Sequence, residues 1–113
     1  MTKDETYITV YHVTPISNLE SILKQGLIPQ IGMLSEGVEI KERIYLFPTY
    51  EDCETALGQW LGAVYDELIP DEEVVSLKIK LPHNFPLVRT CEWEYATETP
   101  IPPQYITFYK NEG

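Results

Sequence analysis

An α+β fold follows from three features of the 113-residue sequence. Two helical patterns lie in its N-terminal half, opening near Asn18 and near Thr49. Residues 74–81 alternate apolar with polar side chains, the period of a half-buried strand, and residues 104–109 set Ile106 and Phe108 on one face of a closing strand. The order is strand, helix, strand, helix, then several strands, and this segregation predicts antiparallel sheets with helices packed on them.

The first strand is predicted over residues 6–13. Tyr7, Thr9, Tyr11 and Val13 point one way, and Ile8, Val10 and His12 the other, in a run rich in β-branched and aromatic residues. Pro15 ends it. Ser17 and Glu20 have capping-box spacing and predict a helix from about Asn18, with Leu19, Ile22 and Leu23 as its apolar face. Gly26 suits the residue just past the helix end, and Leu27 is placed to fold back onto Ile22.

Residues 28–43 carry Pro29, Gly32 and Gly37 without periodicity and are predicted as a long loop. Residues 44–47 form a short apolar strand that Pro48 stops. Thr49 and Asp52 mark the next helix start. Cys53, Ala56, Leu57, Trp60, Leu61, Val64 and Leu68 then recur at spacings of three and four, a core-facing stripe that ends before Pro70. Gly58 and Gly62 weaken this helix and suit close packing against another backbone. After an exposed turn at residues 71–73, Val75, Leu77, Ile79 and Leu81 are predicted to face the core, and Ser76, Lys78 and Lys80 to face out. Residues 82–86 form a turn that exposes His83. Residues 87–95 contain one further strand, starting near Arg89 or Thr90. The last strand covers residues 104–109, with Ile106 and Phe108 on one face.

The length fits one domain with one hydrophobic core, spanning residues 1–113. Eight Lys and Arg against 18 Asp and Glu give a net charge of −10 without any run of five like charges. Such an acidic surface repels duplex DNA and anionic membrane, because it has few cations to neutralise phosphates. It suits a soluble protein, or one that docks on a basic partner. The first six residues lack the apolar stretch of a signal peptide, and no apolar run is long enough to span a bilayer. Cys53 and Cys91 form no CxxC or Cys/His cluster, so no metal site is expected. A cytoplasmic setting favours free buried thiols over a disulfide between them.

Three stretches carry chemistry. Tyr11-His12-Val13-Thr14, followed by a helix that ends in Gly26-Leu27, sets a histidine at a strand end beside a helix. Ile44-Tyr45-Leu46-Phe47 leads through Thr49 and Tyr50 into an alanine-containing helix. Glu92-Trp93-Glu94-Tyr95 leads to Ile101-Pro102-Pro103-Gln104-Tyr105-Ile106. In this order they resemble the motifs of the ADP-ribosyltransferase superfamily of the His-Tyr-Glu type, and together they cover about half of the chain.

The resemblance implies a split pair of antiparallel sheets with an NAD cleft between them. It implies that His12 binds the adenine-side ribose of NAD, with Thr14 assisting. It implies that Tyr45 stacks on the nicotinamide ring, with Tyr50 as the substitute, since an aromatic face attracts a flat cationic heterocycle. It implies a glutamate at a strand start that stabilises an oxocarbenium-like transition state. Glu92 is the better match, and Glu94, two residues on, would share its strand face. Ala56 and Leu57 stand where many relatives carry a second aromatic.

The expected activity is transfer of ADP-ribose from NAD to a macromolecular acceptor, with release of nicotinamide. The alternative is a catalytically weak or inactive module of the same fold that binds or inhibits a basic protein. A third reading, an RNA 2′-phosphotransferase, calls for several arginines, and the chain has Arg43 and Arg89.

Overall fold

The computed structural model describes residues 7–29, 43–59, 67 and 72–112. Strand β1 spans Tyr7–Pro15 and helix α1 Leu19–Gln25; strand β2 spans Ile44–Leu46 and helix α2 Tyr50–Gln59. Strands β3 (Val74–Pro82), β4 (Val88–Cys91), β5 (Glu94–Thr97) and β6 (Ile106–Asn111) follow. They form two antiparallel three-stranded sheets, ordered β1-β3-β6 and β2-β5-β4. Among the described residues the sheets meet at one bridge, where Tyr11 and Phe47 exchange backbone hydrogen bonds of 2.8 and 2.7 Å. The coarse expectation of two helices and two antiparallel sheets is met. The loop at residues 30–42 and the stripe positions Trp60, Leu61, Val64 and Leu68, with Gly62, lie outside the described residues.

Each face of the first sheet has its own core. Val10, Leu77, Ile79, Leu81 and Ile106 pack with Ile22 and Leu27 of the α1 segment and with Ile44 and Leu46 of β2. Val13, Phe47, Cys53, Ala56 and Val74 form a second cluster beneath α2. Strand β3 lies between β1 and β6 and is covered on both faces near its start. Ser76, expected to face outward, is therefore buried. Its hydroxyl lies 2.8 Å from Glu112 Oε2 and 3.2 Å from the Lys110 carbonyl.

The entry to α1 differs from the expected capping box. A 3-10 turn at Ile16–Asn18 leads in, and Asn18 is the N-cap but its side chain makes no capping bond to the helix. The Ser17 N–H donates to Glu72 at 2.8 Å, and Glu20 pairs instead with Lys24 one turn on. Leu23, expected on the apolar face, is exposed. At α2 the expected signal is realised: Thr49 Oγ1 accepts from the Asp52 N–H at 3.1 Å. Among the described residues no atom lies near enough to Gly58 to need its lack of a side chain, so close packing against them does not explain it.

Residues 87–95, expected to hold one strand, instead belong to the β4–β5 hairpin. Cys91 pairs with Glu94 across a tip of Glu92 and Trp93. Neither tip residue is a customary turn former, which is why the sequence hides the reversal. Strand β6 carries a bulge. Phe108 pairs with Leu77 but Lys110 with Ser76, so Tyr109 is the extra residue. Phe108 shares the Ile106 face yet lies on a sheet edge and stays exposed.

Candidate functional site

The site is built where the two sheets meet. Beyond the Tyr11–Phe47 bridge, the His12 ring reaches across to β2, and its Nδ1 lies 2.8 Å from the Tyr45 carbonyl oxygen. A carbonyl only accepts, so Nδ1 carries the proton and Nε2 keeps its lone pair. Burial lowers the histidine pKa below its ordinary 6.5, and the hydrogen bond to Tyr45 opposes that shift in part. The imidazole is thus held neutral and in one tautomer.

Thr14 lies two residues along β1 on the His12 face and is buried. Its Oγ1 accepts from Asn18 Nδ2 at 3.3 Å, which ties the strand end to the turn entering α1. Tyr45 alternates with Ile44 and Leu46, both in the core, so its half-buried ring lies on the other face of β2. Its partner across the ladder is Ala96 of β5. Glu94, two residues before Ala96, shares that face and is the first residue of β5. The Thr90 hydroxyl lies 2.8 Å from Glu94 Oε1 and 3.1 Å from the Glu94 carbonyl.

Glu92 stands elsewhere. It is exposed at the hairpin tip, so the expectation of two carboxylates on one strand face is corrected: the reversal separates them. Its carbonyl accepts from Arg89 Nη2 at 2.6 Å, while Arg89 Nε donates to the Cys91 carbonyl at 3.2 Å. The guanidinium also lies over the Tyr95 ring, 5.5 Å from its centre. Arg43 Nε lies 3.7 Å from Glu98.

Tyr50 is engaged on the opposite face of β1 from His12. Its hydroxyl donates to Glu112 Oε2 at 2.7 Å, and its ring packs edgewise on Tyr109 and tilted on Tyr11. Burial, and then the neighbouring Glu112 carboxylate, push its pKa well up. The structure therefore brings His12 and the Tyr45 backbone together and starts a strand at Glu94 on the Tyr45 face. It does not bring Tyr50, Glu92 or the Tyr45 ring to His12: alternation sets that ring on the Phe47 face of β2, opposite to the His12 face of the junction.

Two motif segments outside these residues also meet. Leu27 and Ile101 exchange backbone hydrogen bonds of 2.9 Å each way, so the glycine-leucine end of α1 is seated on the Ile101-Pro102-Pro103 segment. Thr90, Arg89 and Glu112 carry contacts that sequence reasoning did not foresee. Only Arg89 was open to such a reading, as a cation in search of a partner. Among the described residues no group of three His, Cys, Asp or Glu side chains is placed to hold a metal, and no helix is long and apolar enough to cross a membrane. Comparison with family models, curated proteins and solved structures gives no match.

Proposed function

We propose that this chain is an NAD-dependent ADP-ribosyltransferase acting on a macromolecular acceptor, with His12, Tyr45 and Glu94 as its working residues. The observation that carries the reading is the neutral His12 fixed on the Tyr45 carbonyl at the junction of two sheets, with Glu94 opening the strand beside β2. The donor set suits a dinucleotide substrate. A neutral imidazole offers Nε2 as an acceptor for a ribose hydroxyl. Thr14 Oγ1, already an acceptor for Asn18, keeps its own proton to donate. The Tyr45 ring, on the other side of the strand junction from His12, offers a face to a cationic heterocycle. NAD supplies the glycosidic bond to a good leaving group, nicotinamide. The protein's part is to hold the ribose and to set the Glu94 carboxylate against the positive charge that develops there. Glu94 is preferred to Glu92 because β5 begins at Glu94. The two free thiols and an NAD substrate fit a cytoplasmic enzyme.

A second reading is an ADP-ribosyltransferase-like module that docks on a basic protein. The net charge of −10 and the exposure of Trp93 between two acids favour it. The phosphotransferase reading fits less well, since Arg43 faces Glu98 and Arg89 is bonded to hairpin carbonyls. Calorimetric titration with NAD⁺ tests the leading reading. Wild type should bind, and Tyr45→Ala should bind at least about tenfold more weakly, the scale of one lost aromatic stack. Equal affinities would remove Tyr45 from the site, and no binding by wild type would leave the docking module.

A further inference from the structure

Among the described residues, the face of the first sheet that carries α2 is only half covered. Helix α2 packs over Val13, Phe47 and Val74. Further along, the ladder sets Thr9 beside Lys80, Tyr11 beside Lys78, and Lys78 in turn beside Thr107. Tyr7, Lys80, Thr107 and Tyr109 are exposed there, with Tyr7 and Tyr109 showing 41% and 42% of their surface. The bulge in β6 turns both Tyr109 and Lys110 to this side, Tyr109 against Tyr11 and Lys110 over the Tyr50 ring. Three of the chain's eight cations, Lys78, Lys80 and Lys110, thus gather on one face of a protein with net charge −10. Among the described residues Lys78 and Lys80 form no ion pair.

We propose that this half-open face binds single-stranded nucleic acid, with Lys78, Lys80 and Lys110 on its phosphates and Tyr7 and Tyr109 stacking on its bases. A sheet face that sets lysines beside two exposed aromatic rings is a stacking platform with a charged track. The choice of ligand follows from the charge. A net −10 opposes any polyanion at a distance, so a ligand held by three lysines alone would bind poorly. Bases add stacking, which an acidic peptide lacks. A duplex keeps its bases stacked inside and presents only phosphate, so the acidic surface still excludes it. This inference stands apart from the NAD reading, since none of its five residues belongs to that site.

Fluorescence anisotropy with labelled oligo-dT and oligo-U of about twenty nucleotides tests it, because each lysine–phosphate contact contributes about −0.7 to the slope of log K against log salt on single strands. Both oligonucleotides should bind at low salt with a slope near −2, three contacts at about −0.7 each. Lys78→Ala/Lys80→Ala should flatten the slope to about −0.7. Tyr7→Ala/Tyr109→Ala should weaken binding at least about tenfold with the slope unchanged. Lys24→Ala on α1 should change nothing, and circular dichroism should report each variant folded. Three results would overturn the proposal: no binding at low salt, a slope untouched by the lysine change, or displacement by polyglutamate as readily as by unlabelled oligo-dT.

Discussion

A methyl group at position 26 would meet the Ile101 carbonyl oxygen, and the backbone there has φ 87° and ψ −174°, a region that only glycine enters freely. Gly26→Ala should therefore cost about 2–4 kcal/mol in a urea unfolding curve, from backbone strain and overpacking together. A cost below about 0.5 kcal/mol, the scale of a neutral surface change, would mean that the α1–Ile101 junction is looser than described. The sequence shows why glycine belongs after the helix but not what it faces, because Ile101 is distant in the chain. His12 gives a second test at this scale. Its folded pKa is lowered by burial, so as pH falls below about 6.5 the unfolded chain binds a proton that the folded chain does not. Stability from this group is thus complete above its ordinary pKa and is lost as pH falls toward the folded value. His12→Gln should remove that component, so denaturation midpoints should fall less steeply below pH about 6.5 than in wild type. Parallel pH profiles would show that burial does not hold the ring neutral.

The elements with local signals were legible. The Thr49–Asp52 cap, the alternation of β3 and the short strand at Ile44 all depend on near neighbours in sequence. What was hidden depends on distant partners. Ser76 is buried because α2 covers its face and Glu112 accepts its hydroxyl, and the hairpin tip at Glu92 and Trp93 carries no glycine or asparagine. Helix α2 also carries Cys53. The cysteines are free, Cys53 fully buried and Cys91 half-buried. Burial, and then Glu112 and Glu54, push the Cys53 thiol up to about 12, so it is neither exposed nor ionised at neutral pH. A disulfide-exchange reagent should titrate Cys91 in the native protein and Cys53 only after unfolding. Two thiols reacting at one rate would place α2 wrongly on the sheet.

At the scale of the molecule, two three-stranded sheets joined at the Tyr11–Phe47 bridge set β1 of one beside β2 of the other. Helix order and strand type gave the α+β class from the sequence alone, whereas this junction did not follow from periodicity. It rests on one bridge between residues far apart in the chain, and the proposed site rests on it in turn. The near end of α2 is held to the same framework by Glu112, whose carboxylate joins Tyr50 on the helix to Ser76 on β3. The same framework sets Glu94 as the strand-opening carboxylate and leaves Glu92 at an exposed tip. A carboxylate that acts on charge developing at the ribose raises the rate without tightening the binding of the substrate. The decisive measurement is nicotinamide release from NAD⁺ by wild type, Glu94→Gln and Glu92→Gln, with NAD⁺ affinity measured in parallel. Glu94→Gln should keep its affinity within a few-fold and lose about 10²-fold or more in rate, while Glu92→Gln stays near wild type. Release by Glu94→Gln at the wild-type rate, with a folded protein and unchanged affinity, would contradict the assignment.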